Sequence, residues 1–127
     1  MIGILIFRDF QILDAAGPIS VFEIAGRFAG AASSIRVLAE VPGPVRSSSG
    51  VELTARGLRS AGAISTLIVA GGEGVEVAVR SKRTLAFVRS SREMHWILFG
   101  ARVTSLSRLA ASSVAIRSLP RPFVPGW

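Results

Sequence analysis

The chain has 127 residues, 50% of them hydrophobic and 18% charged, which suits one globular domain with a single core and excludes a disordered segment. It contains no cysteine, which excludes disulfides, thiolate metal sites and a cysteine nucleophile. The formal net charge is +7, and the last 29 residues carry Arg102, Arg108, Arg117 and Arg121 without a single acid; four scattered arginines without aromatic interleaving read as a solvated face or an unevolved tail rather than as a phosphate-tracking surface.

Met1 to Phe7 is apolar but lacks a basic leader, and Arg8 and Asp9 end it too early for a signal peptide or membrane span. Ile2 to Phe7 therefore reads as a buried parallel strand, and a cytoplasmic, non-membrane location is the default. Arg8-Asp9-Phe10-Gln11 is a connection. Pro18 suits the first turn of a helix, where its missing N–H costs nothing. Ile19, Phe22 and Gly26 follow at helical spacing, Val21, Ala25 and Phe28 are expected to widen that apolar face, and Gly30 closes the helix.

Ile35 to Ala39 reads as the second strand, broken by Pro42-Gly43-Pro44. Val45 to Ser48 and Val51 to Thr54, joined through Ser49-Gly50, predict a small hairpin. Ala61 to Ser65 is a connector after a short helical turn. Leu67 to Ala70 is the next strand, stopped by Gly71-Gly72. Val75 to Val79 and Lys82 to Ser90 are helix candidates, and Trp96 to Phe99 has strand character. Alternating strands and helices at this spacing predict an α/β fold with a doubly wound parallel sheet. After Gly100 the pattern deteriorates. One amphipathic helix fits Val103 to Ile116, and Pro120, Pro122 and Pro125 forbid regular structure beyond it. The expected division is a domain over residues 1–100 and an atypical basic Ser/Arg/Pro-rich tail over 101–127.

Ligands in open α/β sheets bind beyond the carboxyl ends of the strands, which singles out two turns. The first holds Asp14, Gly17 and Pro18. Asp14 is either an acid/base or ligand anchor held by the Gly-Pro pair, or a cap accepting backbone N–H bonds at a helix beginning near Gly17. The second holds Gly71, Gly72, Glu73 and Gly74. Paired glycines let amides approach an anion closely, though they serve equally as a tight strand-to-helix turn. GGEG is not a P-loop, lacking the following Lys-Ser or Lys-Thr. His95 is the sole histidine. Without a Gly-x-Ser-x-Gly elbow it reads as structural, and one histidine without cysteine predicts no metal site. No cofactor is implied.

The segments IGILIF, FQILDAAGPISVFEIA, IRVLAEV, PVRSSSGVEL and LIVAGGEG, covering about Ile2 to Ser91, together resemble the ThiJ/PfpI superfamily. They are most similar to the N-terminal domain of GlxA-type regulators of the AraC/XylS family. The resemblance implies a flavodoxin-like, class I glutamine amidotransferase-like sheet. It matches Asp14 to the acidic position of the regulator and isocyanide hydratase branches, and Gly71 and Gly72 to glycines lining the same pocket. It also implies a nucleophile elbow after the next strand. Here that strand runs Trp96-Ile97-Leu98-Phe99 into Gly100-Ala101, with no nucleophile.

The expected function is therefore a ligand-sensing and dimerisation domain of a transcriptional regulator, with a small-molecule ligand and a homo-oligomeric state. The alternative is a ThiJ/PfpI-type hydrolase or isocyanide hydratase-like enzyme, disfavoured because the nucleophile and its acid act as a unit. A non-functional fragment is the third reading. No helix-turn-helix pattern is present, so DNA binding is not expected. The altered composition beyond Ser91 reads as a truncated or frame-disrupted product, incomplete at its C-terminus.

Overall fold

The computed structural model describes residues 1–32 and 34–91, and the backbone of 95–98. The proposed boundary at residue 100 and the tail beyond it lie outside the described residues. Strand β1 is Ile2–Leu5, β2 is Ile35–Ala39, β3 is Gly43–Arg46, β4 is Glu52–Gly57, β5 is Thr66–Val69 and β6 is His95–Leu98; the helices are α1, Ile12–Phe28, α2, Val75–Ala78, and α3, Lys82–Ser90. They build one six-stranded sheet in the order β3-β4-β2-β1-β5-β6. Only the β3–β4 hairpin is antiparallel. The order runs outward from β1 in both directions, so the topological switch falls between β1 and β5.

Strand periodicity explains the two-sided core. Ile2, Ile4, Ala39 and Ile68 face one side, under Ile12, Ala15, Ile19 and Phe22 of α1. Leu5, Leu38, Leu67 and Val69 face the other, under Phe87 and Val88 of α3 and Leu58 of a short 3₁₀ turn, Leu58–Ser60. Burial on both faces is why β1 and β5 read as unbroken apolar runs rather than alternating ones.

The largest departure from the sequence reading is where α1 begins. The helix starts at Ile12, with Gln11 as its N-cap, so Pro18 lies inside it rather than in its first turn. Proline there removes the N–H that would bond to the Asp14 carbonyl, a loss normally worth about 3 kcal/mol. Gly17 eases the steric restriction on the residue before proline because it has no Cβ. Pro18 is buried, and the stripe Ile12, Ala15, Ile19, Phe22 and Gly26 anchors the helix from both sides of the break.

Val21, Ala25 and Phe28 do not widen that stripe. All three are exposed, Val21 by 62% and Phe28 by 88%, on the side of the helix away from the sheet with Leu13 and Ile24. The end of α1 follows its sequence signal: Gly30 takes φ +64°, Gly30 N–H bonds Arg27 O at 3.3 Å, and Ala31 N–H bonds Gly26 O at 3.0 Å, a Schellman cap.

These positions separate experimentally in a urea titration. Ile4→Ala, at a fully buried site, should cost about 3 kcal/mol of unfolding free energy. Val21→Ala, on the exposed side of α1, should change it by less than about 0.5 kcal/mol.

Candidate functional site

The carboxyl end of the sheet is closed by a short strap, residues 9–11, that runs from β1 into α1. Asp9 N–H donates to Arg46 O at 2.9 Å, and Ser48 N–H donates to Phe10 O at 2.9 Å, fastening the strap to the β3–β4 hairpin. On the other side Gln11 N–H donates to Gly71 O at 2.8 Å and Gly74 N–H donates to Asp9 O at 3.3 Å. Phe10 is fully buried beneath it. Asp9 adopts φ +60°, a left-handed conformation that aspartate tolerates better than most residues.

The glycines after β5 are what admit this strap. A Cβ on Gly74 would stand 1.8 Å from Arg8 O, and one on Gly72 would lie 2.6 Å from Gln11 N and 2.7 Å from Asp9 O. Gly72 also has φ +126°. Their requirement is close backbone packing across the switch point.

Asp14 sits in the first turn of α1 and does not cap that helix, as Gln11 is the N-cap and no side-chain cap bond forms. Its Oδ2 instead accepts the N–H of Gly71 at 2.9 Å. Two residues 57 apart in sequence are thus joined at the β1/β5 switch. Gly71 is engaged twice, donating to Asp14 and accepting from Gln11. Its amide is already used in this state. Gly72 is half-buried and Glu73 is exposed. Gly17 has only Leu13 Cδ1 near its Cβ position, at 3.9 Å. The structure therefore brings Asp14 and Gly71 into direct contact and leaves Glu73 at the surface.

A groove of about 620 Å³ opens on the hairpin side of the strap, over the carboxyl ends of β1 and β2. Phe7, Asp9, Val41, Arg46 and Val77 are among its walls, and Asp14, Gly71 and Gly72 are not. Val41 and Val77 are 68% and 73% exposed. Sequence reasoning passed over this groove because its walls come from three separated segments. The one available signal was the charged pair Arg8-Asp9 directly after a buried strand. No group of His, Cys, Asp and Glu able to hold a metal occurs among the described residues, and no described helix is long and apolar enough to cross a membrane.

No family model matches the chain. An uncharacterized protein from the cpoL 5′ region of Streptomyces lividans is 38% identical over 73 residues, covering 57% of this chain and 51% of that protein. A crystal structure of a ThiJ/PfpI family protein from Pseudomonas syringae superposes with a TM-score of 0.68 at 20% identity, covering 87% of this chain and 44% of the other. An AraC family transcriptional regulator from Pseudomonas putida gives 0.65 at 17% identity, covering 87% and 60%. The chain thus spans about half the length of these relatives. The described residues share the α/β, flavodoxin-like fold of these solved structures.

The strap and its glycines give two stability tests. Asp14→Ala leaves the Gly71 amide unpaired and should lower unfolding free energy by about 1–3 kcal/mol; Asp14→Asn keeps an acceptor oxygen and should cost less. Gly74→Ala drives a methyl into a backbone carbonyl and should cost about 3 kcal/mol or more. Chemical denaturation of the three variants checks both.

Proposed function

We propose that this chain is a ligand-sensing and dimerisation domain of a transcriptional regulator of the GlxA type, and not an enzyme. The observation that carries the reading is the state of Asp14. Its Oδ2 accepts the Gly71 amide, and the sequence following β6, Phe99-Gly100-Ala101, offers no nucleophile for it to serve. An acid without a nucleophile does not perform the covalent chemistry of a hydrolase or hydratase, because the groups act together. The structural likeness to the Pseudomonas putida regulator supports the same reading.

In this reading a small ligand occupies the groove beside the strap. Asp9 and Arg46 wall the groove and are also members of the strap's hydrogen-bond pattern. Ligand contact there acts on the segment that leads directly into α1. The exposed side of α1 then supplies the dimer contact. Leu13, Gly17, Val21, Ile24 and Phe28 lie along one face at helical spacing. An antiparallel two-fold pairing of two such helices sets Leu13 against Phe28, and Ile24 against Gly17, where a large side chain meets a small one.

Purified protein should show no turnover of isocyanide, glyoxal or peptide substrates. A small-molecule thermal-shift screen should yield stabilising ligands whose effect disappears in Val77→Trp, which fills the groove. Turnover that is abolished by Asp14→Ala overturns the proposal. For the dimer contact, sedimentation of Ile24→Glu/Phe28→Glu should give monomer where the unaltered chain gives dimer.

A further inference from the structure

Among the described residues, helix α3 carries a row of positive charge that no acid pairs with. Lys82, Ala86 and Arg89 recur at helical spacing on its outward side, Arg83 lies beside them, and Arg80 precedes the helix; all are exposed. The inward residues Phe87 and Val88 are packed on the core. Arg80, Lys82, Arg83 and Arg89 form no ion pair among the described residues, whereas Arg27 pairs with Glu23 and Arg8 lies 3.8 Å from Asp9. Among the described residues, Thr84 Oγ1 of α3 donates to Glu40 Oε2 at 3.3 Å. Thr84 is two residues beyond Lys82, which places it on the far side of the helix.

Helix stability does not account for this arrangement. Lys82 and Arg83 stand in the first turn, where the macrodipole disfavours cations, and that turn has no acidic residue. Ser81 already caps the helix, accepting Thr84 N–H at 3.2 Å. The cations contribute nothing there that the fold requires.

We propose that the outward face of α3 contacts the phosphate backbone of double-stranded nucleic acid. This goes beyond the sensor reading, does not depend on it, and departs from the expectation that a chain without a helix-turn-helix pattern does not touch DNA. The chemistry favours a duplex over other anionic partners. The only apolar side chain among the outward residues is Ala86, too small to enter a bilayer. No aromatic residue stands on this face to stack an unpaired base. Lys82 to Arg89 spans about 10 Å of helix axis, and duplex DNA presents one charge per about 1.7 Å, so the row meets several phosphates. Binding of this kind is independent of sequence and steeply salt-dependent.

The test is fluorescence anisotropy of the whole chain with a labelled random-sequence duplex across a salt series. Binding is expected at about 50 mM salt, with log K falling against log [salt] at a slope of about −3 to −4. Replacing Arg80, Lys82, Arg83 and Arg89 by Gln should weaken binding at least about tenfold and flatten the slope by about 0.9 per charge removed. Arg83→Lys/Arg89→Lys should retain it. An unaltered melting temperature for the Gln variant assigns its loss to charge, and the Lys pair decides the matter independently if that variant is less stable. The proposal is overturned by no binding at low salt, by binding undiminished in the Gln variant, or by binding lost instead when Arg102, Arg108, Arg117 and Arg121 are changed. Equal or tighter binding to phosphatidylserine vesicles overturns it in favour of a lipid surface.

Discussion

The stitching of the strap across the carboxyl end of the sheet is the constraint on which the described structure depends. Its backbone bonds to Arg46 and Ser48 on one side and to Gly71 and Gly74 on the other. These link the hairpin, β1 and the loop after β5, three segments that no single secondary-structure element connects. Buried backbone polar groups need partners, and here they find one another. The cost is local: Asp9 must turn left-handed, and positions 72 and 74 admit no side chain.

That closure also determines what the switch point offers. In an open α/β sheet the gap between oppositely running crossovers is the usual place for a ligand. Here the gap between β1 and β5 is bridged by the Asp14–Gly71 bond and the Gln11–Gly71 bond. Among the described residues a groove lies beside the hairpin, where Val41 and Val77 face solvent. A carboxylate that a motif reading assigns to chemistry performs a structural task in this state, tying the first turn of α1 to the next strand.

Much of this was legible in the sequence, and for physical reasons. Strands buried on both faces carry unbroken apolar runs, so β1 and β5 announce themselves. Gly30 marks the end of α1 because only glycine enters the left-handed region cheaply. The limits of α3 follow from Ser81 and the apolar spacing inside it. The start of α1 was not legible. Pro18 mimics a first-turn proline, and only the packing of Ile12 and Ala15 beneath the preceding turn shows that the helix began earlier. That misplacement carried Asp14 out of its helix and into an imagined turn. The Asp14–Gly71 pairing and the groove walls join segments far apart in sequence, and no local pattern encodes such a meeting.

Local rules broken in a folded chain point to what outweighs them. Helix α1 breaks them at its beginning, with an interior proline and an N-cap that makes no side-chain bond. Contacts inside the domain explain both, since Pro18 is buried and the first turn is held through Asp14 and Gln11 to Gly71. Helix α3 is capped correctly and breaks a different rule, placing cations where its dipole repels them. No ion pair among the described residues answers that charge. The two helices therefore differ in the origin of their compensation: that of α1 lies within the sheet it covers, and that of α3 is, in the proposal above, the phosphate backbone of a duplex.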